Sequence, residues 1–233
     1  MINVKNITLS DDEMRRCREF SGKSAVNQQP IEFGEKTTAP RSVQETTRDN
    51  LIGKIAETAF SKMMRENYGI EIALDFNYYP RGEWDDQDAE VNGWRIDVKG
   101  TRQGGRWLLV DWNKLNFRQK DNKLSHVYVM FSVGWNRDAD QPTGHASYEG
   151  FVTLARLGKQ VPNTEILSMK SYIPGTRKLL QADNYGILIS EIYHNPYDLY
   201  VLLTQYRPSE KLTENFKNPF TDQTYAEIIG GSK

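Results

Sequence analysis

The most regular hydrophobic pattern of the chain lies in residues 47–67, where apolar residues recur at i, i+1, i+4 and i+5. This spacing gathers them on one stripe of an α-helix and predicts a helix that packs against a core. Gly53 leaves room for close packing along this helix, and Glu57 falls at the border of the apolar stripe. The stripe comprises Leu51, Ile52, Ile55, Ala56, Ala59, Phe60, Met63 and Met64.

A second pattern, strict alternation of apolar and polar residues, surrounds the dipeptide Asn92-Gly93. Asn-Gly between alternating segments is typical of a β-hairpin with a two-residue type I′ turn, in which both central residues adopt positive φ. Such a turn fixes the register of the two strands. The predicted cross-strand pairs are Val91 with Trp94, Glu90 with Arg95, Ala89 with Ile96, and Asp88 with Asp97.

This register divides the hairpin into two faces, because successive strand residues point to opposite sides. The face that we expect to lie on the core carries Ala89, Val91, Trp94, Ile96 and Val98. The opposite face carries Asp88, Glu90, Arg95, Asp97 and Lys99. Charged groups are therefore concentrated on one side of the hairpin.

Weaker patterns predict the remaining elements. Ser10 and Glu13 form a capping box that opens a short helix ending near Phe20. Apolar or alternating runs predict strands over 70–76, 107–112, 126–135 and 148–152, a short helix over 153–160, a strand over 185–193, and a strand or helix over 198–206. Polar and glycine-rich stretches predict loops over 27–42, 77–87, 100–106, 113–123, 136–147 and 172–184.

The length and composition are those of a soluble globular protein with one main domain. We divide its 233 residues into an N-terminal helical and loop extension (1–45), the main domain (46–206) and a polar C-terminal tail (207–233). The net charge of −1 gives no overall basic field, so nucleic acid could bind only to a local basic patch. A single cysteine excludes an intrachain disulfide and fits a reducing cytoplasm. No apolar segment is long enough for secretion or membrane insertion.

The charged face of the hairpin carries the candidate chemistry. Two carboxylates placed opposite each other repel, so Asp88 and Asp97 require a compensating charge. A Mg²⁺ ion between them would provide it, because Mg²⁺ takes one or two carboxylates and completes its shell with water. Lys99 would lie beside the ion, where it could hold a water or meet developing negative charge. Asp85 and Asp86 lie close by, so Asp86 stays open as an alternative first ligand or as the ion-pair partner of Lys99.

An aspartate followed by Asp97-Val98-Lys99 on a hairpin strand resembles the motif of the PD-(D/E)xK nuclease superfamily, over about residues 46–157. The resemblance implies a restriction-endonuclease-like α/β fold, in which a mixed β-sheet is flanked by helices. It also implies Mg²⁺-dependent hydrolysis of phosphodiester bonds in DNA, with Mn²⁺ as a substitute and products that carry a 5′-phosphate. The implied site consists of Asp88, Asp97 and the Val98 carbonyl as metal ligands, Glu57 at a second metal position, and Lys99 as the group that orients water and offsets transition-state charge.

Basic residues that follow the hairpin are candidates for contacts to DNA phosphates. They are Arg102, Arg106, Lys114, Arg118 and Lys120, together with Arg177 and Lys178 in a second loop. His126 begins an apolar strand and is predicted to be a hydrogen-bonded structural residue. Neither His145 nor His194 has the sequence spacing of a zinc site or of a histidine general base, so we expect neither.

The resemblance favours an endonuclease, because the glutamine found after the core in exonuclease branches of the superfamily is not evident here. Two alternatives stay open: a branched-DNA (junction) resolvase, and a catalytically silent DNA-binding or interaction module with the same fold. Cleavage of both strands of a duplex would favour a homodimer with twofold symmetry.

Overall fold

The computed structural model describes residues 5–27, 42–79, 88–111, 125–158, 164–181 and 184–208. These residues form a mixed α/β structure, which confirms the predicted α/β class. The helices are α1 (Asp11–Asn27), α2 (Val43–Tyr68), α3 (Leu154–Gly158) and α4 (Pro196–Gln205). The strands are β1 (Asn6–Thr8), β2 (Ala89–Val91), β3 (Trp94–Arg102), β4 (Trp107–Asp111), β5 (Val127–Asn136), β6 (Gln141–Thr153), β7 (Thr164–Leu167) and β8 (Asn184–Leu188). Within these ranges no helix is long and apolar enough to cross a membrane.

The strands form two sheets. The larger sheet has the order β1-β6-β5-β3-β2, and the smaller sheet has the order β4-β8-β7. The larger sheet is mixed. β3 and β5 are parallel, whereas the pairs β1–β6, β6–β5 and β3–β2 are antiparallel. β3 therefore lies between the antiparallel β2 and the parallel β5.

Hydrophobic residues cover the larger sheet on both faces. The core on one face joins α1, α2 and α4 to residues such as Ile96 and Val98 of β3. The core on the other face joins β4, β8 and α3 to Tyr128 and Met130 of β5. Because successive residues of a strand face opposite sides, β3 and β5 contribute side chains to both layers. The larger sheet is thus the middle layer of the protein.

The predicted β2–β3 hairpin is confirmed in turn and register. Asn92 and Gly93 have φ values of 51° and 82°, as a type I′ turn requires. The pairs are Ala89 with Ile96, Glu90 with Arg95, and Val91 with Trp94. The end of α4 fixes this hairpin, because Asn92 Nδ2 donates to the Leu203 carbonyl at 2.8 Å and Trp94 Nε1 donates to the Tyr206 carbonyl at 3.1 Å.

Helix α2 confirms the predicted helix over 47–67, and its ends have clear causes. It begins four residues earlier than expected because Ser42 and Glu45 form a reciprocal capping box. It ends at Gly69, which takes the left-handed conformation and donates its N–H to the carbonyls of Met64 and Arg65. The apolar periodicity starts only at Leu51, so it could not predict the first two turns of the helix or the capping box before them.

The segment predicted as an N-terminal extension contributes to the main core. The capping box of Ser10 and Glu13 is confirmed, but α1 continues beyond Phe20 to Asn27. Strand β1 pairs with β6 at the edge of the larger sheet. Met14 and Cys17 of α1 are buried in the same hydrophobic cluster as α2. Residues 5–27 therefore pack as part of the domain.

The predicted strand over 70–76 is wrong. These residues follow α2 in extended form without a strand partner in the described part of the chain. Their carbonyls accept hydrogen bonds from the side chains of α2: Ser61 Oγ donates to the Ile72 carbonyl at 2.9 Å, and Lys54 Nζ donates to the Asp75 carbonyl at 2.8 Å. Side-chain donors thus replace the ladder that the alternation suggested.

The predicted loop over 136–147 is also wrong, because β6 already begins at Gln141. Pro142 and Gly144 suggested a loop, since proline cannot donate to a strand ladder. In the structure β1 covers β6 only at residues 145–147, so Pro142 lies beyond the end of β1 and pairs with Trp135 of β5 alone. Strand β7 was not predicted.

Other elements agree with the sequence after shifts of their ends. Strands β4, β5 and β8 and helix α3 correspond to the predicted segments 107–112, 126–135, 185–193 and 153–160. The segment left open between strand and helix is α4, because Asn195 caps its first turn and Pro196 fits the first helical position. The predicted loops 27–42, 77–87 and 113–123 and the tail 207–233 lie largely outside the described residues.

Gly100 marks the closest approach of α2 to the sheet. β3 continues through Gly100 to Arg102, so the predicted loop over 100–106 is shorter than expected. A Cβ atom on Gly100 would lie 2.7 Å from the Ile52 carbonyl oxygen. Gly53 has open space around it, so the close packing expected there occurs at Gly100 instead.

We predict that Gly100→Ala lowers the free energy of unfolding by about 1–3 kcal/mol, because the helix must move away from the sheet. The matched variant Gly53→Ala adds a methyl group in open space within α2 and should stabilise the protein by up to about 1 kcal/mol. Urea unfolding followed by circular dichroism measures both. Equal midpoints for Gly100→Ala and the wild type would contradict the prediction.

Candidate active site

The charged face of the β2–β3 hairpin is unevenly buried, since Glu90 is exposed and Asp88 is half-buried. Arg95 and Asp97 are each 7% exposed, so they are buried rather than solvated. The parallel register places Tyr128 of β5 beside Asp97 on this face. Tyr128 belongs to the same hydrophobic cluster as Val110 of the smaller sheet, so this cluster adjoins Asp97.

The hairpin register, continued one residue beyond its last ladder pair of Ala89 with Ile96, sets Asp88 opposite Asp97. The Arg95 backbone bonds to His126 on the β5 side, since Arg95 N–H donates to His126 Nδ1 at 3.1 Å and the Arg95 carbonyl accepts from His126 N at 2.8 Å. Arg95 and Glu90 are therefore a non-hydrogen-bonded pair. The next such pair, two residues on, is Asp88 with Asp97, and side chains approach most closely at these positions.

These contacts also confirm His126 as a hydrogen-bonded structural residue. It fixes the start of β3 through both backbone groups of Arg95. Its ring lies edge-on to Trp94, with the ring centroids 5.8 Å apart.

A backbone hydrogen bond holds the first carboxylate. Asp88 Oδ2 accepts from the Val98 N–H at 2.6 Å. This N–H points toward β2, and the carbonyl of the same strand residue points to the same side. The Val98 carbonyl and the Asp88 carboxylate thus share one edge of β3.

Lys99 supplies the nearest positive charge on this face. Its Nζ lies 2.8 Å from Asp97 Oδ2, and the two side chains are 19% and 9% exposed. The contact offsets repulsion between the carboxylates of Asp97 and Asp88. The structure therefore joins Asp97 to Lys99 by an ion pair and joins Asp88 to the backbone of Val98, the residue between them.

Tyr128 belongs to the surroundings of the site, although no pattern in the sequence pointed to it. Burial, together with the nearby Asp97 carboxylate, raises the pKa of Tyr128 well above its usual range, while Arg95 acts in the opposite direction. Burial likewise raises the pKa of Tyr185 on β8. Tyr128 stays protonated at neutral pH and can act as a hydrogen-bond donor. Only the parallel pairing of β3 with β5 places it here.

Glu57 occupies a different environment on the helical side of the sheet. It forms an ion pair with Lys54, whose Nζ also lies 4.4 Å from the centroid of the Phe20 ring. Lys54 and Glu57 are largely buried where α1, α2 and the segment after α2 meet. The role of Glu57 at a second metal position stays a prediction.

The donor set at the hairpin determines which ions it suits. Among the described residues, no group of three or more His, Cys, Asp and Glu side chains is arranged to hold a metal. Asp88, Asp97 and the Val98 carbonyl offer oxygen donors from two carboxylates and one backbone group. This set fits Mg²⁺, which keeps several waters, and does not fit a structural zinc site with four protein ligands.

The predicted phosphate contacts fall into three groups. Arg102 lies over the Trp135 ring, 4.0 Å from its centroid, and 3.7 Å from Asp140 Oδ1. Arg106 is exposed at the start of β4, close to the loop that carries the exposed Arg177 and Lys178. Lys114, Arg118 and Lys120 lie outside the described residues.

We predict that Lys99→Met lowers the free energy of unfolding by about 1–3 kcal/mol, because it removes the ion-pair partner of the buried Asp97 carboxylate. Adding Asp97→Asn should recover part of this loss, since it removes one of the buried charges. Lys62→Met is the matched control: Lys62 is 17% exposed and pairs with Glu13 at 3.0 Å, far along the chain from the hairpin. In the Lys62→Met variant, adding Asp97→Asn should recover none of the lost free energy of unfolding. Additive effects of Asp97→Asn and Lys99→Met in urea unfolding would contradict the coupling.

Comparison of the chain with protein-family models, curated proteins and solved structures finds no match. The resemblance to the PD-(D/E)xK nucleases therefore depends on the hairpin residues themselves. Asp88, Asp97 and Lys99 are the residues whose arrangement must support any functional conclusion.

Proposed function

We propose that this protein is a metal-dependent endonuclease that hydrolyses phosphodiester bonds of DNA, with a restriction-endonuclease-like fold. The observation that carries the proposal is the ion pair of Asp97 with Lys99 on β3, the strand whose Val98 N–H holds the Asp88 carboxylate. A mixed sheet with a long helix immediately before the hairpin is consistent with that fold.

Asp88, Asp97 and the Val98 carbonyl would hold Mg²⁺, for which Mn²⁺ can substitute. When bound, the ion would polarise a phosphoryl oxygen and lower the pKa of a coordinated water. The hydrogen bond from Val98 N–H keeps the Asp88 carboxylate on the shared edge of β3. Two opposed carboxylates beside one backbone carbonyl are a suitable oxygen donor set for such an ion.

Lys99 would act at the reacting phosphate. Its Nζ lies one hydrogen bond from Asp97, so its ammonium group is held next to the ligands. From there it can orient the attacking water and donate to a phosphate oxygen as negative charge develops. The oxygen of that water bonds to phosphorus as the bond from phosphorus to the 3′ oxygen breaks. The products are a 5′-phosphate and a 3′-hydroxyl, which takes up a proton.

Glu57 enters the proposal as an assisting residue. Glu57 lies on the helical side of the sheet, whereas Asp97 and Lys99 lie on the other face, so to reach a second metal position its carboxylate would have to leave Lys54 and extend past the edge of the sheet. Glu57→Gln keeps the shape of the side chain while weakening both interactions, and it therefore tests whether this exchange contributes to cleavage.

We predict that Mg²⁺ or Mn²⁺ raises the melting temperature of the protein. An ion present at about one hundred times its Kd stabilises the folded state by about 2.7 kcal/mol, or roughly 5–10 °C for a chain of this size. Asp97→Ala should abolish the shift, whereas Asp12→Ala, which removes an exposed aspartate of α1, should keep it. An unchanged shift in Asp97→Ala would place the metal elsewhere.

We also predict metal-dependent cleavage of DNA by the wild type, measured on linear, supercoiled and branched substrates. Asp97→Ala and Lys99→Ala should each lower the cleavage rate by roughly 10²-fold or more. Lys99→Ala should keep the metal-induced rise in melting temperature, because Lys99 is not a ligand. Asp12→Ala should cleave like the wild type. Wild-type rates in Asp97→Ala would refute the proposed active site, and a metal shift without cleavage of any DNA would leave a binding protein.

A further inference from the structure

The loop between β7 and β8 concentrates positive charge. Residues 168–181 contain three basic residues and no acidic one, although the whole chain has a net charge of −1. Lys170, Arg177 and Lys178 are all exposed. Such a local excess can bind a polyanion even where the protein as a whole is nearly neutral.

This loop has a defined backbone structure. Tyr172 and Leu179 form an antiparallel bridge, and Ile173 N–H donates to the Lys178 carbonyl at 3.0 Å. Gly175 at the tip has a φ of 79°, which glycine adopts without strain. The loop is therefore a small hairpin that presents its side chains in a fixed arrangement.

The loop is anchored to the start of β4. Trp107 Nε1 donates to the Pro174 carbonyl at 3.1 Å. A Cβ atom on Gly175 would lie 3.7 Å from the Arg106 guanidinium, so Arg106 joins the loop's own basic residues. We call the combined surface of Arg106, Lys170, Tyr172, Arg177, Lys178 and Leu179 the basic loop surface.

Two large apolar side chains are exposed within this surface. Tyr172 is 61% exposed and Leu179 is 50% exposed, and their bridge places them side by side. Basic residues alone would suit the phosphates of any nucleic acid. An exposed aromatic ring between them additionally suits the face of a nucleobase, which can stack on it. Base faces are covered in an intact duplex and accessible in a single strand.

The surface is within reach of the proposed active site along β3. Arg102 lies three residues after Lys99 on β3, which corresponds to about 10 Å along a strand. A short turn then leads to Arg106 at the start of β4. Arg106 of the basic loop surface therefore lies seven residues along the chain from Lys99.

We infer that the basic loop surface binds a single-stranded segment of the DNA substrate, with Tyr172 stacked on a base and Arg106, Arg177 and Lys178 at phosphates. The inference relies on the proposed function for the identity of the polymer as DNA. It identifies the substrate class as DNA with an unpaired region, such as a flap, an overhang or a bubble.

The test measures binding by fluorescence anisotropy on the full chain in EDTA, with a labelled single strand, its blunt duplex and a flapped duplex. The single strand and the flap should bind more tightly than the blunt duplex. Tyr172→Ala should weaken single-strand binding by roughly 5- to 150-fold, whereas Tyr172→Phe should keep it, because both aromatic rings stack. Tyr206→Ala, which removes another exposed tyrosine at 59% exposure, is the control and should bind like the wild type.

The basic residues are tested by the dependence of binding on salt. Each lost phosphate contact lowers the slope of log K against log salt by about 0.7 for a single strand. Arg177→Ala with Lys178→Ala should therefore lower this slope by about twice that amount. Arg15→Ala with Arg18→Ala, two exposed arginines of α1, should leave it unchanged. Each variant's melting temperature shows that it is folded.

An unchanged Kd for Tyr172→Ala, or equally tight binding of the blunt duplex, would overturn the inference. Tighter binding of RNA of the same sequence would replace DNA as the ligand and also overturn it. These outcomes are separate from failure of the nuclease, because binding is measured without metal. Binding that depends on Tyr172, in a protein that cleaves nothing, would keep the surface and refute the nuclease. Cleavage that depends on Asp97, together with single-strand binding that Tyr172→Ala does not change, would support the nuclease and overturn the inferred binding surface.

Discussion

The ion pair between Asp97 and Lys99 offsets the energetic cost of burying a carboxylate on β3, an inner strand of the larger sheet. The strand has the helical core against one face, and on its other face Arg95 and Asp97 are each only 7% exposed. Burial of an uncompensated carboxylate costs several kcal/mol. Lys99 lies two residues along the same face and contacts Asp97 at 2.8 Å, so the strand carries its own counter-ion into the middle of the protein.

Neighbouring strands turn this local pairing into a site. The two-residue turn at Asn92 places Asp88 opposite Asp97. The parallel pairing with β5 places Tyr128 beside Asp97, where burial and the carboxylate keep the phenol protonated. On the other face, the absence of a side chain at Gly100 lets α2 approach the strand closely. Register on both sides of β3 thus determines which groups share the polar face.

The sequence predicts elements whose cause is local. Asn92-Gly93 specifies its turn, and the apolar stripe of α2 specifies its buried face, because both signals lie within a few residues. Errors arose where distant partners decide the structure. Residues 70–76 alternate like a strand, yet Lys54 and Ser61 of α2 satisfy their carbonyls. Pro142 resembled a loop residue because its place beyond the end of β1 depends on residues more than a hundred positions away.

The same distinction applies to the candidate site. Asp88, Asp97 and Lys99 could be placed on one face because a single turn fixes them all. Tyr128 could not, because the parallel pairing joins segments that sequence periodicity treats separately. Glu57 was assigned from its place at the border of the apolar stripe together with the resemblance. Its ion pair with Lys54 is an i,i+3 contact within α2, but the burial of that pair beside Phe20 depends on the packing of α1 against α2.

The cost of this arrangement is itself an argument for chemistry. A buried ion pair can often be replaced by apolar residues of similar volume with no loss of stability, or with a gain. A strand that served packing alone would be at least as stable with apolar residues in place of Asp97 and Lys99. Asp88 adds a second carboxylate on the same face, which increases the repulsion that Lys99 must offset. Two facing carboxylates with one lysine are poorly suited to a purely structural role, and they are well suited to holding a cation beside a group that can donate to a phosphate.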